Sequence, residues 1–208
     1  GLNIDMNLTF TDHIKNVCTK GSRKVGVLSR FKNMILTRAK LTIYKSFILP
    51  QLTYCHIVWQ FCRASDNRKL ERIQERAVRA IYCDKNSNYK ELLERAKLPT
   101  LSNRRYQDVA ILMYKVKNNL VPSYITIFFV KNDNAYNLRN SNDFQIPRFN
   151  TITYGRHSIK YMGPYIWSKI SKEIKTAPSL NAFKNQVRDL DLERIISEKC
   201  NNCYLCNN

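Results

Sequence analysis

Basic residues recur at helical spacing in the first half of the chain. Lys69, Arg72, Arg76 and Arg79 stand three or four positions apart, so one helix would carry all four on one face. Long cations at this spacing can each neutralise one phosphate of a nucleic-acid backbone. In a chain of formal net charge +19 the pattern favours a phosphate-binding face over a merely solvated one. Arg63, Arg68, Arg104 and Arg105 are further candidates for the same role, and Lys20, Arg23 and Lys24 are candidates for a second basic strip.

Three cysteines near the end of the sequence have zinc-like spacing: Cys200, Cys203 and Cys206. A structural zinc ion takes four ligands, and only three are local. His157 could supply the fourth if its segment folded back, and a ligand downstream of the sequence would serve equally well. A tail that binds no metal is the alternative interpretation.

Catalytic constellations are not evident. His13, His56 and His157 are the only histidines, and none has a cysteine or serine partner in a nucleophile motif. The acidic residues are dispersed among basic ones, which argues against paired-carboxylate metal chemistry. We therefore expect no active site and, apart from zinc, no cofactor in this chain.

Amphipathic helices are expected to position the basic residues. The most apolar stretch, Tyr44 to Trp59, predicts a helix that Pro50 breaks or kinks. Core residues are predicted in this stretch and at helical spacing in the flanking segments; they include Ile14, Val25, Leu28, Phe31, Tyr44, Ile48, Tyr54, Cys55, Val58, Trp59, Leu70, Ile73, Ala77, Ile81, Val109, Met113 and Leu120.

The remaining elements are expected to be less regular. Alternating apolar residues between Leu2 and Phe10 predict an edge strand or hairpin. A β-hairpin is also predicted around Gly155, and a short helix is expected to start at Gly163-Pro164. Aromatic residues in this region are candidates for stacking on unpaired bases: Tyr154, Tyr161, Tyr165 and Trp167.

The predicted fold class is mainly α. A helical bundle over residues 1–130 is followed by a loop or linker at 131–150, rich in Asn, Asp, Ser and Arg. Residues 151–208 form a smaller mixed module with the hairpin, short helices and the cysteine-rich tail. No run of about 18 apolar residues occurs, so we expect no membrane-spanning helix.

The cysteines of the sequence indicate a redox compartment, and its first residues indicate how far the chain extends. Its seven cysteines are an odd number, and four lie in apolar segments, which is typical of a reducing compartment. The sequence begins Gly1-Leu-Asn-Ile-Asp rather than with Met, and we expect it to be part of a longer protein.

Several motifs follow one another in a recognisable order. They are Leu2-Asn-Ile-Asp-x-x-Leu-x-Phe-x-x-His-Ile14, Tyr44-x-x-Phe-Ile-x-Pro-x-Leu-x-Tyr-Cys-x-x-Val-Trp59, Leu70-x-x-Ile-Gln-x-Arg-Ala-x-Arg-x-Ile81, Met113-Tyr-Lys-Val-Lys-Asn118, Tyr136-Asn-Leu-Arg139 and Ser158-Ile-x-Tyr-x-Gly-Pro-x-x-Trp167, before the cysteine-rich tail. In this order they resemble the region after the palm of jockey-like LINE (non-LTR) retrotransposon reverse transcriptases. No single motif is specific, but the ordered set is.

The resemblance implies the thumb and C-terminal region of an RNA-directed DNA polymerase. The family's catalytic Tyr-x-Asp-Asp motif is absent, since Tyr82-Cys-Asp84 has one aspartate, and no endonuclease domain is present. Magnesium is then expected only in the missing palm. The implied partners are RNA, DNA or an RNA/DNA duplex and the palm and fingers of the same polyprotein, in a nuclear and cytoplasmic ribonucleoprotein without a membrane.

Two other interpretations stay open. The chain could be a non-catalytic remnant of a degraded element with no selected partner. It could instead be a protein-interaction module that docks through an apolar patch around Trp59. A stand-alone enzyme ranks last, because no catalytic constellation is visible.

Overall fold

A computed structural model describes residues 1–60, 63–132 and 143–198 of the protein. It is mainly helical, as predicted, and the described residues contain no sheet. The one β-type pairing among them is an isolated antiparallel bridge between Lys131 and Phe144. The chain forms two compact units, residues 1–105 and 106–207. The linker between two domains that the composition predicts at residues 131–150 stays a prediction.

The first unit contains most of the long helices. In chain order they are α1 (Thr11–Arg30), α2 (Thr37–Ile43), a π-helical segment (Tyr44–Ile48), α3 (Leu49–Leu52), α4 (His56–Trp59), α5 (Ala64–Tyr82) and α6 (Tyr89–Ala96); α7 (Leu101–Lys117) begins in this unit and continues into the second.

The core of the first unit forms where α1 packs on α5. Ile14, Val25 and Leu28 of α1 are buried, and so are the predicted apolar residues of α5. The two helices and α3 approach closely at Gly21, where a Cβ atom would lie 2.7 Å from Cδ2 of Leu52. Glycine is unfavourable within a helix, but at this position the close approach to Leu52 leaves little room for a side chain.

Pro50 distorts the apolar helix instead of ending it. Proline has no N–H group to donate to the carbonyl four residues earlier. The chain widens just before it into the π-helical segment, with the Leu49 N–H donating to the Tyr44 carbonyl. Single π turns of this kind occur mostly within α-helices. The predicted perturbation is therefore present, and Tyr44 and Ile48 keep their predicted burial.

The helix predicted to run to Trp59 stops at Leu52. Cys55 adopts a left-handed backbone conformation with φ of 52°, and the chain turns there before α4. Because of this turn Tyr54, Cys55 and Val58 are exposed, so their predicted place in the core is wrong. Trp59 is buried as predicted, and its indole Nε1 donates to the Tyr54 carbonyl at 3.0 Å.

The N-terminal strand prediction is also wrong. Residues 1–10 form no strand, and the Asp5 carboxylate instead accepts hydrogen bonds from the backbone N–H groups of Asn7, Thr9 and Phe10. These bonds close a local turn before α1. The alternating apolar residues Ile4, Met6 and Leu8 are exposed. Phe31 and Leu120, predicted in the core, are exposed as well.

Buried aromatic rings form the core of the second unit. Its helices are α8 (Ser123–Thr126), a π-helical segment (Ile152–Arg156), α9 (Ile159–Lys169), α10 (Lys172–Lys175), α11 (Leu180–Arg188) and α12 (Leu192–Glu198). Trp167 contacts Phe144 and Phe183 at centroid distances of 6.2 and 5.8 Å. Its indole Nε1 donates to the Asp143 carboxylate at 2.7 Å, which satisfies the buried polar atom.

No hairpin forms around Gly155. The N–H groups of Arg156 and His157 donate to the carbonyls of Thr151 and Ile152, which leaves a helical turn and no cross-strand ladder. The following helix starts earlier than predicted. Ser158 caps α9, so Gly163 and Pro164 lie within the helix. The alternation of residue types around Gly155 therefore predicted the wrong conformation, because the local backbone hydrogen bonds of this segment form a helical turn.

Candidate nucleic-acid interface

The candidate interface is the exposed face of α5. Leu70, Ile73, Ala77 and Ile81 recur at helical spacing and are buried against α1. The opposite face carries the basic residues, and Arg68, Arg72 and Arg76 are exposed on it, one turn apart. At a rise of about 1.5 Å per residue these three side chains span about 12 Å of the helix.

Each carboxylate of α5 is engaged by a group other than these arginines. Asp66 forms an ion pair with Lys69 at 2.8 Å, and Glu75 forms one with Arg79 at 2.8 Å. Glu71 accepts a hydrogen bond from the Tyr89 hydroxyl at 2.8 Å and another from the Ser102 backbone N–H at 2.9 Å. The helix therefore has no acidic side chain left to neutralise its exposed arginines.

Arg68, Arg72 and Arg76 have no ion pair or side-chain hydrogen bond within the described residues. Exposed guanidinium groups stay charged at any ordinary pH and present several donors to phosphate oxygens. Their charges are thus uncompensated along one face of one helix. Of the four residues that the spacing predicts on this face, Arg72 and Arg76 are among these unpaired cations, and Arg68 joins them.

Lys69 and Arg79 differ from these three. Lys69 is exposed, although its ammonium pairs with the buried carboxylate of Asp66. Arg79 binds Glu75 through two nitrogens and also donates to the carbonyls of Lys85 and Ser87. Its guanidinium therefore holds the loop after α5, and we leave it out of the proposed interface.

Arg104 and Arg105 lie at the start of α7. Arg104 is half-buried, whereas Arg105 is 5% exposed. The Arg105 guanidinium donates to the side-chain amide oxygen of Asn67 and lies 5.9 Å from the ring centroid of Trp59. A cation buried in this way supports the core, so we also leave Arg105 out of the interface.

The second basic strip lies on α1. Arg23 is exposed. Lys24 is half-buried, and its ammonium donates to the Phe47 carbonyl at 3.0 Å and lies 4.7 Å from the Phe47 ring centroid. Lys24 therefore ties α1 to the π-helical segment of the first unit while its charge remains at the surface.

A hydrogen-bonded network under the α5 face is not evident from the sequence. Tyr44 donates to the side-chain oxygen of Gln74 at 2.7 Å, and Gln74 donates to the Pro99 carbonyl at 2.8 Å. Burial, reinforced by the Glu71 charge, raises the pKa of both Tyr44 and Tyr89. The two phenols are therefore neutral donors. The network fixes α5 relative to the start of α7, which the Glu71 carboxylate caps.

Lys40 is a second polar residue that the sequence analysis missed. It is 2% exposed, and its ammonium donates to the Lys32 carbonyl at 2.9 Å and to the Ala80 carbonyl at 3.5 Å. The Ala80 carbonyl lies in the last turn of α5, where a positive charge is favourable, and the Lys32 carbonyl lies in the turn that follows α1. The one available signal was its position four residues before Tyr44, on the buried side of the helix.

Asp84, from the incomplete Tyr82-Cys-Asp84 motif, organises the turn after α5. Its carboxylate accepts hydrogen bonds from the Ser87 hydroxyl at 2.6 Å and from the backbone N–H groups of Ser87 and Asn86. These bonds lower the pKa of Asp84 to about 2. The charged carboxylate thus has a structural role in this turn.

The zinc prediction cannot be placed in the structure. Cys200, Cys203 and Cys206 lie outside the described residues, and the described residues contain no group of three metal-ligating side chains. Zinc therefore stays a prediction.

The stacking candidates of the second unit differ in accessibility. Trp167 is buried, so its ring is not available to a base. Tyr161 and Tyr165 are half-buried and stack on each other at 5.8 Å, whereas Tyr154 is exposed. Tyr154 therefore remains the most accessible of the four.

Two further findings bear on the class of protein. Within the described part of the chain, no helix combines the length and apolarity needed to cross a bilayer. Comparison with known proteins gives no significant match to a family model, to a curated protein or to a solved structure.

Proposed function

We propose that this chain binds a nucleic-acid duplex through its phosphate backbone, as the thumb and C-terminal region of a jockey-like LINE retrotransposon reverse transcriptase. The observation that carries the binding proposal is the row of exposed, uncompensated arginines Arg68, Arg72 and Arg76 on α5. The ordered motifs of the sequence support the parent enzyme. The net charge of +19 favours a polyanionic partner in either case.

The proposed role is positioning. Contacts from arginine to phosphate fix the register and orientation of a duplex and do not read its sequence. We expect RNA, DNA and RNA/DNA duplexes to bind alike, in a nuclear and cytoplasmic ribonucleoprotein. The palm and fingers of the same polyprotein would supply the polymerase chemistry, including its magnesium.

Salt dependence of binding tests the proposal. Each phosphate neutralised contributes about 0.9 to the slope of log affinity against log salt for B-DNA. Replacing Arg68, Arg72 and Arg76 by alanine should therefore flatten the slope by about two to three units. The triple replacement of Arg148, Lys160 and Arg188 by alanine, at exposed residues of the second unit, is the charge-matched control for loss of net charge. An unchanged slope in the triple variant would exclude this face as the duplex contact.

A protein-interaction module is the second candidate. Trp59 is buried and cannot be the contact, but Val27, Phe31, Met34 and Leu36 are exposed around the end of α1. Contiguous exposed apolar side chains mark docking surfaces in many proteins. Duplex binding that does not depend on salt or on the α5 arginines, together with self-association abolished by Phe31→Ser, would favour this candidate.

A further inference from the structure

A groove of about 520 Å³ runs along the first unit between α1 and the segment from the π-helical turn to Tyr54. Its α1 wall includes Asn16 and Lys20, and its opposite wall includes Phe47, Gln51 and Tyr54. The volume falls in the usual range of small-ligand sites, about 300–1,000 Å³. Nothing in the sequence analysis placed these residues together.

The groove is basic. Lys20 is exposed and has no partner within the described residues, and the ammonium of Lys24 lies at the same wall. No aspartate or glutamate is among its described lining residues. Two cations without a local carboxylate favour an anionic ligand.

Two aromatic side chains give the groove a second property. Phe47 is 66% exposed and Tyr54 is 48% exposed, although both lie in the most apolar stretch of the sequence. The Tyr54 backbone is held by the Trp59 indole, so this ring sits on a fixed part of the fold. Exposed rings beside cations offer stacking faces to unpaired bases, which duplex bases cannot reach because they are already stacked.

The groove also contains uncommitted amide groups. The side chains of Asn16 and Gln51 make no hydrogen bond within the described residues. Primary amides carry both donors and an acceptor and can pair with base edges. Cation, ring and amide thus match the three parts of a nucleotide, namely its phosphate, the face of its base and the edge of its base.

We propose that this groove binds an unpaired nucleotide of a nucleic-acid strand. Tyr54 stacks on the base, Lys20 and Lys24 contact the phosphate, and Asn16 and Gln51 meet the base edge. The inference rests on the proposed nucleic-acid binding and adds a site for single strand beside the duplex contact on α5.

Three probes of one duplex test the inference by fluorescence anisotropy. The first is a blunt RNA/DNA duplex, the second carries a short unpaired extension, and the third carries an abasic extension with the same phosphates. The base-bearing extension should tighten binding about tenfold over the blunt duplex, as expected for stacking. The abasic extension should give a smaller gain, because it supplies charge alone. Extensions of RNA and of DNA are compared separately.

Variants assign the effect to the groove. Tyr54→Ala should abolish the preference for the base-bearing over the abasic extension, and Tyr54→Phe should retain it. Lys20→Ala should weaken binding of both extensions. Tyr124→Ala is the control, because Tyr124 is an exposed aromatic residue of α8 in the other unit.

The outcomes separate the two proposals. Equal affinity of wild-type protein for blunt and base-extended probes would overturn the groove assignment while leaving duplex binding in place. Retention of the base preference in a folded Tyr54→Ala variant would overturn it as well. Failure to bind any probe would instead refute the proposed function on which it rests.

Discussion

Replacing Glu71 by alanine should destabilise the first unit more than its half-buried position suggests. The carboxylate accepts one hydrogen bond from the Tyr89 hydroxyl and another from the Ser102 N–H, in the first turn of α7. Its loss leaves the half-buried Tyr89 hydroxyl without this acceptor and one of the first N–H groups of the helix uncapped.

The magnitude follows from these contacts. A hydrogen bond to a charged group contributes about 1.5–3 kcal/mol, and a negative charge at a helix N-terminus adds about 0.3–1 kcal/mol at an exposed site. Because the site is only half-buried, we take the lower values and expect Glu71→Ala to cost about 3 kcal/mol. Glu71→Gln keeps an acceptor without the charge and should cost about half as much.

Urea unfolding followed by circular dichroism measures this cost, and hydrogen exchange at the Ser102 amide reports the cap directly. Glu94→Ala is the control, since Glu94 is an exposed glutamate of α6 and its loss should change stability by less than about 0.5 kcal/mol. If Glu71→Ala matched this control in stability and left Ser102 exchange unchanged, the carboxylate would not be the cap of α7.

Three other changes probe the packing and charge of the first unit. Gly21→Ala should lower the free energy of unfolding by about 1–2 kcal/mol, because its Cβ would lie 2.7 Å from Leu52. Gly26→Ala, with nothing within 4 Å, should raise it by about 0.5–1 kcal/mol, and the same sign for both in urea unfolding would contradict the packing argument. Lys40→Met should cost about 2 kcal/mol in the same assay, since it removes donors from buried carbonyls; a cost below about 0.5 kcal/mol would refute this role. Burial, with the nearby Gly1 amine and Lys20 charges, lowers the pKa of His13 below its ordinary 6.5, so stability is full above that pH and is lost as the pH falls through the folded-state pKa. The melting temperature of His13→Gln should therefore fall less than that of wild type between about pH 7 and pH 5, and parallel curves would argue against His13 as the cause.

Periodicity identified α5 correctly because its apolar and basic residues obey one helical repeat over five turns. The same spacing could not distinguish Arg76 from Arg79, which differ through partners in the following loop. Nor could it show that Arg105 would meet Asn67, 38 residues earlier in the chain. Side-chain pairing across elements is set by tertiary packing, which spacing in one segment does not contain.

The apolar composition of the stretch from Tyr44 to Trp59 did not predict that Tyr54 would line the groove. Tyr54 lies in an apolar run, but it is exposed because the chain turns at Cys55. Cys55 adopts a left-handed backbone conformation although it is not a glycine. Left-handed non-glycine residues are uncommon and carry little sequence signal. Pro50 is the one residue in this stretch whose type predicts an irregular helix, because a proline within a helix changes the local backbone hydrogen bonding.

The π-helical turn at Tyr44–Ile48 also bears on how this chain can vary in length. Such a turn holds one residue more than an α-helix needs, which corresponds to a single-residue insertion. Deleting one residue there would rotate the preceding part of the helix by about 100° relative to Leu49. The shortened segment could then not keep both the Tyr44–Gln74 hydrogen bond and the place of Phe47 at the groove. A relative with a one-residue gap in this segment is therefore expected to lose either this hydrogen bond or the groove.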